Sequence, residues 1–162
     1  LVEDEHLETA RQIMAAAEAK GVRIHLPSDV VAADRFAADA ATQIVSSHAI
    51  PSGWMGLDVG PETIAAYSAV VRDAKTLLWN GPLGVFELEA FERGTRQLGE
   101  AIAAATEAGT LFSLVGGGDS VAAVEQFGLS ERVSYVSTGG GAMLEYLEGR
   151  VLPGIQAVYD AE

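Results

Sequence analysis

The chain is 162 residues long, enough for one domain with a substantial core, and 49% of it is hydrophobic. Gly, Asp or Glu interrupt the apolar residues at short intervals, and no run approaches the roughly 20 residues of a membrane span, so a soluble globular protein is expected. A formal net charge of −13, from 23 acids against 10 bases, argues against nucleic acid and anionic membrane as partners, because both are bound largely through clustered Lys and Arg.

There is no cysteine, which removes disulfides, thiolate zinc sites and thiol nucleophiles and fits a cytoplasmic protein. The opening Leu1-Val2-Glu3-Asp4-Glu5 is acidic and carries no initiating Met. It is unlike the cationic start of a signal or transit peptide and reads as a cut inside a longer chain.

Residues 3 to 20 read as a helix, with Leu7, Ala10, Ile13, Met14 and Ala17 at helical spacing and Gly21 as its stop. Val22 to Leu26 reads as a short apolar strand ended by Pro27, and 28 to 53 has weaker periodicity. Trp54 to Val59 reads as a strand, and Gly60-Pro61 opens a helix that runs to about Asp73. Thr76 to Trp79 is a predicted strand, followed by a Gly/Pro turn and a helix from about Leu88 to Ala108. Two further units follow: strand Leu111 to Val115 with a helix from Asp119 to about Phe127, and strand Val133 to Ser137 with a helix from Ala142 to Leu147. Strands alternating with helices imply a mainly parallel sheet covered by helices.

The chemistry concentrates in three strand-to-helix turns: Asn80-Gly81-Pro82-Leu83-Gly84, Gly116-Gly117-Gly118-Asp119-Ser120 and Ser137-Thr138-Gly139-Gly140-Gly141-Ala142. In open parallel sheets such turns lie together at the carboxyl edge, where ligands bind. Glycine permits close approach to a ligand, and each following helix starts with unpaired N–H groups that suit phosphate oxygens. The alternative is that the glycines serve only tight turns and helix–strand packing. Asp119 beside phosphates calls for a hard cation between them, since Mg²⁺ typically takes one or two carboxylates plus phosphate oxygens and waters; the alternative is a helix cap. Glu87 has the chemistry to hold ribose hydroxyls, or is simply an exposed acid at a helix entry.

Other patterns are missing. No Gly-x-x-x-x-Gly-Lys-Ser/Thr stretch exists, and no Gly-x-Gly-x-x-Gly turn has an acid about 20 residues on, which argues against a P-loop protein and an NAD-dependent oxidoreductase. His6, His25 and His48 show no metal spacing. The three turns contain no Lys or Arg, although phosphoryl transfer needs cations against developing charge.

Taken together, Leu26-Pro27-Ser28-Asp29, Ile50-Pro51-Ser52-Gly53-Trp54-Met55-Gly56-Leu57-Asp58-Val59-Gly60-Pro61, Trp79 to Glu87, and the two glycine triplets resemble the phosphoglycerate kinase family. Leu144-Glu145-Tyr146-Leu147-Glu148-Gly149 and Leu152-Pro153-Gly154 continue the likeness in the family's order. The resemblance implies a Rossmann-like three-layer α/β domain that binds Mg-ADP or Mg-ATP, in a cytoplasmic and monomeric glycolytic enzyme. That enzyme transfers a phosphoryl group between 1,3-bisphosphoglycerate and ADP, giving 3-phosphoglycerate and ATP. It further implies that Gly56 and Leu57 border the adenine, that Glu87 holds the ribose, and that Asn80 and Pro82 line the cleft near the phosphates. Gly117, Gly118, Asp119 and Ser120 would bind the diphosphate, with Asp119 toward Mg²⁺, and Gly139, Gly140 and Gly141 would face the phosphoryl group in flight.

By the same resemblance residues 1–154 form part of the nucleotide-binding domain, incomplete at its N-terminal side. Two glycine-rich segments, the first with a phosphate-binding lysine, would precede Leu1, as would a domain holding the 3-phosphoglycerate pocket and a catalytic arginine. Residues 155–162 would be a tail packing on that domain. The chain alone is therefore expected to be inactive; the alternative is a non-enzymatic remnant that binds no ligand.

Overall fold

A computed structural model of the chain describes residues 3–159. Leu1, Val2 and the end of the expected tail, from Asp160 onward, lie outside the described residues. The elements run α1 (Leu7–Ala19), β1 (Asp29–Ala33), β2 (Thr42–Ser46), β3 (Met55–Val59), α2 (Pro61–Asp73), β4 (Thr76–Asn80), α3 (Arg93–Glu107), β5 (Phe112–Gly116), α4 (Gly118–Gln126), β6 (Tyr135–Val136), α5 (Gly140–Leu147) and α6 (Pro153–Tyr159). Strands β4-β5-β6 form the parallel sheet, in that order, and helices flank it. Among the described residues no helix is long and apolar enough to cross a membrane.

The main core is where α2 and α3 meet this sheet. Val71 of α2, Leu98 and Ile102 of α3, Trp79 of β4, Val115 of β5 and Leu129 form one buried cluster. Spacing explains α3: Leu98, Ile102 and Ala105 recur at helical intervals and face inward.

Four expectations need correction. Val22 to Leu26 forms no strand; Val22 and Leu26 are exposed, and no strand among the described residues pairs with them. A strand is held by ladder hydrogen bonds, so an apolar run without a partner stays extended but unassigned. The aperiodic stretch 28 to 53 holds β1 and β2, which pair antiparallel from Asp29↔Ser46 to Ala33↔Thr42. With β3 they form a second, antiparallel sheet ordered β2-β1-β3. Exposed β2 and alanine-rich β1 lack the clean alternation that marks a strand. The helix expected from Leu88 starts at Arg93, behind a 3₁₀ turn at Glu89–Phe91 whose Phe91 is fully buried. The strand expected from Val133 to Ser137 shortens to Tyr135–Val136.

Helix α2 has Pro61 in its first turn and no side-chain cap from its own N-cap residue, Gly60. Asp29 of β1 supplies the cap across the chain. Its Oδ2 accepts from Glu62 N at 3.0 Å, and its Oδ1 accepts from Thr63 N at 2.8 Å and Thr63 Oγ1 at 2.7 Å. Burial alone would push this carboxyl up, but the bonds from Thr63 and Glu62 outweigh it and hold it below its ordinary value of 3.8. A depressed folded value means a contribution present above the ordinary carboxylate range and lost as pH falls through the folded value. Asp29→Ala should therefore lower the unfolding free energy at neutral pH by about 1–3 kcal/mol, with the gap to wild type closing in acid below about pH 4. Urea unfolding of both proteins from pH 7 downward measures it.

Candidate functional site

The parallel pairing brings the three turns to one edge. Asn80, the last residue of β4, pairs in register with Gly116, the last of β5, and Ser137 N donates to Val115 O at 2.8 Å just beyond β6. The turns then touch directly. Gly117 adopts φ 90°, and the Asn80 amide oxygen stands where a Cβ on Gly117 would be. A Cβ on Gly140 would lie 2.5 Å from Gly117 N, so α5 begins with its backbone against the start of α4. Gly116 is similarly occupied by Met143 Cε.

Packing thus accounts for Gly116, Gly117 and Gly140. It does not account for Gly118, Gly139 and Gly141. A Cβ on any of these would meet nothing within 4 Å, and none of them has a positive φ. Nothing inside the chain fills the space on that side of these three residues.

Both helix starts leave backbone donors unpaired. The first intrahelical bonds are Val121 N to Gly117 O in α4 and Met143 N to Gly139 O in α5. The N–H groups of Gly118 to Ser120 and Gly140 to Ala142 therefore have no intrahelical acceptor. Asp119 lies exposed in the first turn of α4 and accepts no hydrogen bond; the cap position is Gly117, and α4 has no side-chain cap. The capping alternative is thus not realised here. Ser120 is fully buried, and its Oγ accepts from Gly81 N at 2.6 Å, stitching the second turn to the first.

The first turn is clamped further. Trp79 Nε1 donates to Gly81 O at 2.8 Å, and Thr95 Oγ1 of α3 accepts from Leu83 N at 3.1 Å and Gly84 N at 3.3 Å. Gly56, Leu57 and Pro82 share one cleft of about 330 Å³ with Pro27, Val59 and Gly84, at the lower end of small-molecule sites. Glu87 is exposed and unpaired just beyond the Val85 that also lines this cleft. Sequence reasoning missed Trp79, Thr95 and Asp58 as parts of the site. Asp58 left one sign, being the only charged residue in an otherwise apolar strand.

No Lys or Arg lies within the three turns themselves. Several arginines pair on the surface: Arg132 with Glu100 and Glu107, Arg35 with Asp34 and Asp39, Arg96 with Glu92 and over the Phe127 ring. No group of three His, Asp or Glu side chains able to hold a metal occurs among the described residues.

The phosphoglycerate kinase family model matches residues 1–150. The chain belongs to the phosphoglycerate kinase family. A phosphoglycerate kinase of Chloroflexus aggregans is 59% identical over 162 residues, which are 100% of this chain and 40% of that protein. The structure of phosphoglycerate kinase from Coxiella burnetii matches with a TM-score of 0.92 at 45% identity, over 98% of this chain and 40% of the other. The crystal structure of the phosphoglycerate kinase from Pyrococcus horikoshii matches with a TM-score of 0.77 at 28% identity, over 96% and 36%. The chain therefore spans about two fifths of the length of the phosphoglycerate kinases it matches.

The packing roles of adjacent glycines give a test of opposite signs. Gly140→Ala should destabilise the chain by about 1–3 kcal/mol, because its Cβ must displace the backbone at Gly117. Gly141→Ala, helical and facing open space, should stabilise it by about 0.5–1 kcal/mol. Thermal unfolding of the two variants beside wild type decides between them.

Proposed function

We propose that this chain is the nucleotide-binding part of a phosphoglycerate kinase and takes Mg-ADP or Mg-ATP at the edge formed by its three glycine turns. The observation that carries the reading is the set of glycines with no role inside the chain: Gly118, Gly139 and Gly141 are open on the side where helix N–H groups gather. Such a surface suits phosphate oxygens, which need close approach and backbone donors. Membership of the family supports the reaction, a reversible transfer between 1,3-bisphosphoglycerate and ADP in cytoplasmic glycolysis.

In this reading the base enters the cleft beside Gly56 and Leu57, and Glu87 holds the ribose. Asn80 and Pro82 border the phosphates, Gly117 and Gly118 donate N–H groups to the diphosphate, and Ser120 holds that turn against Gly81. Gly139, Gly140 and Gly141 offer the α5 N-terminus to the group in transfer, where preorganised dipoles act on charge as it develops. Asp119 fits a magnesium ligand, since it is a free carboxylate at the phosphate end and Mg²⁺ needs only one or two such groups. When bound, the ion offsets charge on the phosphates; this chain's share is to hold it through Asp119.

The cationic clamp is the part this chain does not supply. The cations, the 3-phosphoglycerate pocket and the surface that would meet Ile155, Val158 and Tyr159 of the tail belong, in this proposal, to the rest of a longer protein. Purified alone, the chain should show no kinase activity in a coupled assay at any nucleotide concentration, because ligand supplies neither in-line positioning nor charge. Turnover above background that disappears in an Asp119→Ala control would overturn this.

The metal role has its own test. In the full-length kinase, Mg²⁺ should tighten ADP binding, and Asp119→Ala should abolish that enhancement in calorimetry. Equal Mg²⁺ dependence in both proteins would remove Asp119 from the metal site. In this chain alone, no heat of binding from ADP with Mg²⁺ would favour a remnant that binds nothing.

A further inference from the structure

Asp58 is a buried carboxylate that none of the roles above uses. It lies in β3, is 3% exposed, and borders the same cleft as Gly56, Leu57 and Pro82. Its Oδ2 accepts from Gly94 N at 2.7 Å and its Oδ1 from Val59 N at 2.8 Å. Gly94 is the second residue of α3, and Glu92, at the N-cap of that helix, makes no side-chain cap. Asp58 therefore caps α3 from another strand, as Asp29 caps α2.

The difference between the two caps is what lies against them. Asp58 is overlain by two glycines, Gly84 of the first turn and Gly94 of α3; a Cβ on either would overlap its Oδ1. The residue after Gly94 is Thr95, whose Oγ1 accepts from Leu83 N and Gly84 N. On the other side Leu57 O accepts from Val85 N at 2.9 Å. The cleft wall formed by Leu83 to Val85 is thus tied at three points, once to β3 through Leu57 O and twice to α3 through Thr95, and those two depend on where α3 begins. Burial pushes the Asp58 carboxyl up, against the bonds from Gly94 and Val59 and the charge of Arg93. A buried carboxylate is costly, so its placement between cleft wall and helix needs a return.

We propose that Asp58 is a positioning residue of the nucleoside cleft: by capping α3 it sets Thr95, and through Thr95 it fixes the Leu83–Val85 wall against Gly56 and Leu57. It acts on the nucleoside part of the ligand and leaves the phosphate edge at Gly117 and Gly140 alone. The proposal rests on the reading of this cleft as the nucleoside site.

The test uses Asp58→Asn in the chain as it stands. Asn keeps the shape but offers one acceptor to two N–H donors, and its amide NH₂ must face one of them. Amide exchange at Leu83, Gly84 and Val85 should speed up by about tenfold or more, the scale of one lost charged hydrogen bond, while amides of 121–126 and 143–147 keep their rates. Adenosine and ADP should weaken by the same factor, and pyrophosphate should bind as in wild type. Thr95→Val, which removes the second link and leaves the cap, should reproduce both effects and decides the matter if Asp58→Asn does not fold. Unchanged exchange in the wall, or equal weakening of adenosine and pyrophosphate, would overturn the proposal and leave Asp58 a cap for stability only. If the wild-type chain binds neither adenosine nor pyrophosphate, the nucleotide reading fails, and exchange at Leu83 to Val85 still decides whether Asp58 holds the turn.

Discussion

The site depends on one contact between two backbones: the start of α5 lies on the start of α4, with Gly140 against the Gly117 amide. Parallel pairing of β4, β5 and β6 brings the turns to a common edge, but only bare Cα atoms let two helix N-termini come this close. The result is a patch where the unpaired N–H groups of two helix starts lie side by side. For a chain of net charge −13 this arrangement matters, because long-range attraction of an anionic ligand is not available. In the proposed function, phosphate is bound locally, through dipoles held in place before the ligand arrives.

The rest of the fold serves to hold that edge still. Each of the two long helices behind it is capped by a carboxylate from the antiparallel sheet, α2 by Asp29 and α3 by Asp58. These bonds tie β1 and β3 to helices whose inner faces form the core with Trp79, Val115 and Leu129. Trp79 then contributes twice, filling that core and donating its indole N–H to Gly81 O in the first turn. Stability and site geometry therefore share several side chains, so a substitution at Thr95 or Trp79 should affect both.

Much of this was legible in the chain. Pro61–Asp73 and the repeated order of strand, glycine turn and helix could be read because Pro, Gly and apolar spacing mark them locally. Strands β1 and β2 could not, because β2 is exposed along most of its length and β1 is built largely of Val and Ala. Val22 to Leu26 misled in the other direction, since its composition suits a strand while no strand among the described residues pairs with it. At the site the glycine triplets were visible, but the division among them was not. That Gly140 packs while Gly141 faces open space appears only once α4 and α5 are side by side. Thr95 was invisible for the same reason, and Asp58 showed itself only as a lone charge in an apolar strand, because one polar residue in a strand or helix declares its partner only in three dimensions.

The central claim is that the three turns form one phosphate-binding surface, and amide NMR of the 162-residue chain titrated with Mg-ADP tests it most directly. The account predicts the largest shift changes at Gly117 to Ser120 and Gly139 to Ala142, with smaller ones at Gly56, Leu57 and Gly81 to Val85. The amides around the Arg132 and Arg35 ion pairs should stay where they are. Changes centred on those arginines, with the glycine turns unmoved, would contradict it.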